Sequence, residues 1–136
     1  DKFDSFDGDL LRGFNLDIVF DSGRIYASSG RIIDPETRTV IATIPVNTVS
    51  GLSRFGGLVR PAGDLNRVFF LTREPQPNGT TVCTIRAFDT RTFQSVGSLP
   101  IPDALGFPSS LQRWGPKGLV FRNANRVFFI TNAPGT

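Results

Sequence analysis

The sequence predicts an all-β domain, and three observations lead there. Apolar and polar residues alternate in short runs, as in Arg24–Ser28 (RIYAS) and Thr81–Asp89 (TVCTIRAFD). That is the period-two pattern of a half-buried strand. The 14 Gly and 10 Pro residues, with Asn and Asp beside them, punctuate these runs often enough to keep each one short. No stretch sustains an apolar 3.6-residue period, so no helix is expected beyond one turn near Asp103–Leu111.

The elements follow in order. Asp1–Phe14 is a polar entry segment whose Phe3, Phe6 and Leu10 are expected to pack down on the domain. Leu16–Phe20 is the first strand, and Asp21-Ser22-Gly23 turns into the second at Arg24–Ser28. Gly30–Asp34 is the third. In Asp34-Pro35-Glu36-Thr37 the Asp carboxylate can accept from backbone N–H groups two or three residues on, and Pro presets φ at the second position. Thr39–Ile44 is the fourth strand, stopped by Pro45. After the polar connection Asn47–Phe55 the series restarts. Gly57–Arg60, Arg67–Thr72, Thr81–Asp89 and Gln94–Leu99 are strands, the last stopped by Pro100. The loop Arg73–Thr80 has the hairpin dipeptide Asn78-Gly79 at its tip. A long connection, Ile101–Lys117, carries the single Trp and leads to strands at Gly118–Phe121 and Asn125–Thr131.

Internal similarity organises these elements. Asn66–Thr72 (NRVFFLT) and Asn125–Thr131 (NRVFFIT) agree at six of seven positions. Gly118–Phe121 (GLVF) matches Gly57–Arg60 (GLVR). Asp34 to Pro45 and Asp89 to Pro100 are both steps of 11 residues, with Thr37 matching Thr92 and Ile44 matching Leu99. Arg24, Arg67 and Arg126 are assigned the same place in successive units, and Arg31 corresponds to Arg86. Four short strands per unit of roughly 40–60 residues is the signature of a β-propeller blade. Such a sheet has two faces to cover and buries them by stacking on its neighbours. The expected organisation is a polar segment over 1–15, blade units over 16–131 (about 16–46, 56–100 and 118–131) and a tail over 132–136.

GRIYASSGRIIDPETRTVIATIP and NRVFFLT…TIRAFDTRTFQSVGSLP resemble the blades of bacterial propellers of the YVTN/NHL type. RWGPKGLVF…NRVFFIT looks like a link into the next blade. The resemblance spans about residues 16–131. It implies a secreted or cell-envelope protein that serves as a non-catalytic binding or display scaffold. About two and a half four-stranded antiparallel blades cannot close a ring, so the chain is expected to be a fragment of a larger one. A ring completed by self-association through exposed blade faces, or an open β-sandwich of the same strands, are the other arrangements.

Candidate chemistry is sparse. With no His and one Cys, the common zinc sites and His-based triads are absent, and no catalytic, cofactor-binding or metal-ligating residue is assigned. The enzyme alternative is a portion of a propeller hydrolase or lyase whose funnel is completed by other blades. Cys83, within an alternating run, is expected to be a buried strand thiol. Asp1, Asp4, Asp7 and Asp9 flank Gly8 and could form a calcium loop, although EF-hand spacing is not met. A net charge of +3 permits contact with polyanions. The repeated positions of the arginines point instead to a structural task, such as reaching a carbonyl, and no nucleic-acid partner is expected. Arg60 and Arg122 are expected at or just after innermost strands, facing a channel. Trp114 is expected to plug a gap between blades. A protein or glycan ligand would be met through loops 73–80 and 101–117. No run of about 18 apolar residues exists, so no membrane span is expected.

Overall fold

The structure, a computed structural model, describes residues 17–46, 57–75, 77–79, 81–101, 108–123 and 126–136, with only the backbone of residues 73–75 and 81. The polar entry segment with its Asp cluster, the connection 47–55 and the proposed helical turn up to residue 107 lie outside the described residues.

The fold is all-β, with three antiparallel sheets. Sheet 1 runs β1 (Ile18–Asp21), β2 (Arg24–Ala27), β3 (Arg31–Asp34) and β4 (Thr39–Thr43). Sheet 2 runs β5 (Leu58–Ala62), β6 (Arg67–Pro75), β7 (Thr81–Asp89) and β8 (Ser95–Ile101). Sheet 3 runs β9 (Ser110–Trp114), β10 (Gly118–Asn123) and β11 (Arg126–Ile130). Each sheet is a meander, so every strand pairs with its sequence neighbour. A 3₁₀ turn at Gly63–Leu65 is the only helical element among the described residues.

Turn chemistry explains the local geometry. Ser22 and Gly23 both have positive φ, 50° and 79°, the pattern of the two-residue turn whose twist suits a hairpin. Asp34 Oδ1 accepts from the N–H of Glu36 (2.9 Å) and Thr37 (3.5 Å). Asp89 Oδ1 does the same for Arg91 (2.7 Å) and Thr92 (3.2 Å). Four residues after each Asp, Arg38 and Phe93 adopt left-handed φ of 56° and 60°. The register breaks between Ile32 and Ile33 on β3, and between Ala87 and Phe88 on β7, at matching distances before the two Asp residues. Arg31 pairs with Thr43 and Arg86 with Ser98, so their correspondence holds in register.

Packing sets the layer order. Alternation along β6 sends Phe69 to one face and Phe70 to the other, and both are 0% exposed. Phe70, Val68, Val59 and Phe88 meet Tyr26, Ile32, Ile44 and Val46 of the sheet 1 segment. Phe69, Leu71, Cys83, Ile85 and Ala87 meet Leu111, Leu119, Phe121 and Ala133 of the sheet 3 segment. Sheet 2 is therefore the middle of three layers, with Cys83 buried as a strand thiol. The first strands lie side by side, β5 against both β1 and β9.

Three expectations change. Ser110–Trp114, taken as part of a connection, is the first strand of sheet 3; its Gln-Arg-Trp run lacks clean alternation because its outer face is uncovered. This shifts the correspondence by one strand. GLVF at 118–121 is a second strand, not a partner of GLVR at 57–60, and Asn125–Thr131 supplies a third strand, not a second. Pro100 also fails to stop its strand, and Pro61 lies inside β5. Both strands are sheet edges, where proline's missing N–H breaks no ladder bond.

Replacing Phe69 or Phe70 with Ala should cost about 3–5 kcal/mol in urea unfolding, the range for fully buried aromatics. Phe129→Ala, on the outer face of sheet 3, should cost under about 1 kcal/mol. Equal costs at all three positions would contradict the layer order.

Candidate functional site

Two sets of polar contacts hold the layers in register. The first lies along the first strands of the three sheets. Asp17 Oδ2, just before β1, accepts from the N–H of Val59 on β5 at 3.0 Å. Arg60 Nε donates to the carbonyl of Leu111 on β9 at 2.9 Å. Arg113 grips Asp64 with Nη1 and Nη2, at 2.7 and 3.1 Å, and Nη2 also donates to the Pro116 carbonyl at 2.8 Å. The Arg113 side chain pulls the Asp64 carboxyl below its ordinary value, and Asp64 in turn raises Arg113. Arg60 is thus a tie between sheets 2 and 3. Arg122 is on β10, a middle strand, and is exposed on the outer face of sheet 3, so the expected inner-strand position does not hold.

The second set starts from the first residue of a second strand. Arg24 opens β2, and its Nη1 donates to the Thr90 carbonyl at 2.9 Å, with its guanidinium over the Phe93 ring at 5.8 Å. Arg67 opens β6, and its Nε donates to the Gly135 carbonyl at 3.0 Å. In both cases an arginine reaches the segment after the third strand of the following sheet. This is the carbonyl-seeking task expected from the repeated positions. Arg126 does not share it: it opens β11, a third strand, and is exposed. Arg67 Nη1 also meets Asp89 Oδ2 at 3.1 Å, where Arg91 Nη2 meets the same oxygen at 3.1 Å. The Arg91 side chain, followed by its backbone N–H, holds the Asp89 carboxyl well below the usual carboxylate range.

Residues 131–136 are docked. Ala133 is buried in the cluster between sheets 2 and 3, and its N–H donates to the Lys117 carbonyl at 2.7 Å. Gly135 lies against Gly97 so closely that a Cβ on Gly97 would come within 2.7 Å of the Gly135 nitrogen.

Both outer sheets carry exposed apolar side chains among the described residues: Ile18, Phe20, Val40 and Ile41 on sheet 1, and Trp114, Val127 and Phe129 on sheet 3. On sheet 1, the pair Ile25 and Ile33 faces away from sheet 2 and is still buried. On sheet 3, Trp114 (46% exposed) and Phe129 (57% exposed) face away from sheet 2 with ring centroids 4.9 Å apart. Val127, Val120, Gln112 and Arg122 share that face by register. Trp114 therefore lies on the outside of the stack instead of between two of the described sheets. The loop tip Asn78-Gly79 is exposed, with Gly79 at φ 87°, which the turn explains. Residues 76, 80 and 102–107 of the two proposed ligand loops, like the Asp1, Asp4, Asp7 and Asp9 calcium proposal, lie outside the described residues. Among the described residues no three His, Cys, Asp or Glu side chains converge as metal ligands, and no helix is long and apolar enough to cross a membrane.

No known family model matches this chain. No characterised protein and no solved structure matches it either. The aromatic patch on sheet 3 had no distinct signal in the sequence, because the strand pattern of β11 is the same as that of the buried β6.

Because the folded state lowers the Asp89 pKa, the unfolded chain binds more protons below the ordinary value of 3.8. Stability from this group is present above that value and is lost as pH falls below it. Urea unfolding from pH 7 to 2.5 should show Asp89→Asn with a shallower acid decline than wild type. Parallel profiles would remove Asp89 as a contributor. Separately, Gly97→Ala should lower the melting temperature by displacing Gly135 from its seat.

Proposed function

We propose that this chain is a non-catalytic stacked-sheet repeat module of the β-propeller type. It acts as a binding or display scaffold in a secreted or cell-envelope protein. The observation that carries the reading is the pair of arginine ties from Arg24 to Thr90 and from Arg67 to Gly135. Both start at the same strand position and cross to the next sheet, as a stack built by one repeated operation requires. The neighbouring first strands β1, β5 and β9 support the same arrangement, since blades meet along their inner strands. So do the shared Asp turns and strand irregularities of sheets 1 and 2. The resemblance of these segments to YVTN/NHL blades agrees with this reading.

In a module of this kind the layers provide rigidity and the loops between strands provide recognition. The β6–β7 loop over 73–80 and the segment 101–109 before β9 are the recognition elements, and the ligand is a protein or glycan. The test is a glycan and protein-ligand screen on the chain, followed by replacement of residues 74–79 with a two-residue Asn-Gly turn. Loss of a detected ligand with unchanged melting supports loop recognition. Retained binding would remove that loop from the function.

A further inference from the structure

The β6–β7 hairpin carries a chemically reactive dipeptide at its tip. Of the asparagines in the sequence, only Asn78 precedes a glycine. The Gly79 backbone nitrogen is held next to the Asn78 side-chain carbonyl carbon by the chain itself, so attack on it is intramolecular. Two things hinder such an attack: bulk beside the nitrogen and a backbone that cannot rotate. Neither operates here. Asn78 and Gly79 are both exposed, and a Cβ placed on Gly79 would meet nothing within 4 Å. Pro75 and Thr81 form the last cross-strand pair of β6 and β7, so rotation at the tip breaks no ladder hydrogen bond.

Other asparagines are held away from this reaction. Asn66 donates its N–H to the Gly63 carbonyl at 3.2 Å, and its own carbonyl accepts from the Thr90 N–H at 3.0 Å. Its backbone is thereby fixed at φ 53°. After Asn132, the nitrogen that would attack belongs to Ala133, which is buried and donates to the Lys117 carbonyl at 2.7 Å.

We propose that Asn78 is a site of spontaneous deamidation and backbone isomerisation, tolerated by the fold. The Gly79 amide loses its proton to solvent base, and its nitrogen bonds to Asn78 Cγ. The Cγ–Nδ2 bond breaks and ammonia leaves, giving a cyclic imide. Water then opens the imide. Cleavage at the main-chain carbonyl leaves isoaspartate, and cleavage at the side-chain carbonyl leaves aspartate. Either product adds one carboxylate, which takes the formal net charge from +3 to +2. Isoaspartate also lengthens the backbone, but only beyond the last ladder pair. The new charge falls in the loop assigned to recognition, so ligand binding there changes with the age of the protein. That consequence rests on the proposed function, whereas the modification does not.

The test incubates the whole chain, purified from a bacterial host, at 37 °C between pH 6 and pH 8.5. Peptide mapping with isoaspartyl methyltransferase labelling should find Asn78 converted first, with isoaspartate exceeding aspartate and a rate that rises with pH. Asn66 and Asn132 should keep their amides. A free peptide of residues 73–81 (REPQPNGTT) sets the unhindered rate, and the folded chain should react within about tenfold of it. Gly79→Ala should slow conversion by about tenfold, because a Cβ crowds the attacking nitrogen. Asn78→Gln should abolish it at this site, which covers the case in which Ala distorts a turn with φ of 87°. The converted chain should melt at the same temperature as the fresh one. An intact Asn78 after the peptide has reacted, equal conversion at Asn66 or Asn132, or a lower melting temperature on conversion would overturn the proposal.

Discussion

The two-sided apolar character of sheet 2 is the constraint on which the rest depends. Phe69 and Phe70 are adjacent, so a strand must send one to each face. Leu71, Ile85 and Ala87 load one face, while Val68, Val59 and Phe88 load the other. A sheet with both faces apolar is stable only between two layers, and sheets 1 and 3 are those layers. At about 25 cal/mol per Å² of apolar surface removed from water, this burial is the main favourable term available to the fold.

Apolar packing is non-directional and leaves neighbouring sheets free to slide. The polar contacts remove that freedom. Asp17 to Val59 and Arg60 to Leu111 pin the first strands, while Arg24 to Thr90 and Arg67 to Gly135 pin the side reached by the second strands. Arginine suits the task because its planar fork can donate to a carbonyl while its stem covers apolar surface. A sequence rich in arginine is thus explained without a polyanionic ligand for Arg24, Arg60, Arg67 and Arg113. Each of these four is committed to a defined acceptor.

Much of the fold was legible. Strand alternation located ten of the eleven strands among the described residues. The Asp turns could be derived down to their acceptor geometry, since an Asp side chain bonds its own following backbone in any context. The candidate surface was much less legible. Trp114 was expected as a plug between layers and lies instead on the outer face, because its environment is set by β9 and by Phe129 across the sheet, 15 residues away. β9 itself was missed because Ser110–Trp114 has only one buried apolar side chain, Leu111, to mark its inner face.

The twin heptapeptides draw the line between the two levels. Their sequences determine that both are strands, with consecutive Phe residues on opposite faces and a turn on either side. They do not determine what each face meets. β6 is the second strand of the middle sheet and is covered on both sides, while β11 is the last strand of an outer sheet among the described residues, with Val127 and Phe129 exposed. Propensity and alternation act within a few residues and are nearly identical in the two copies. Burial comes from segments far away in the chain, and only the tertiary arrangement decides which copy becomes core and which presents a surface.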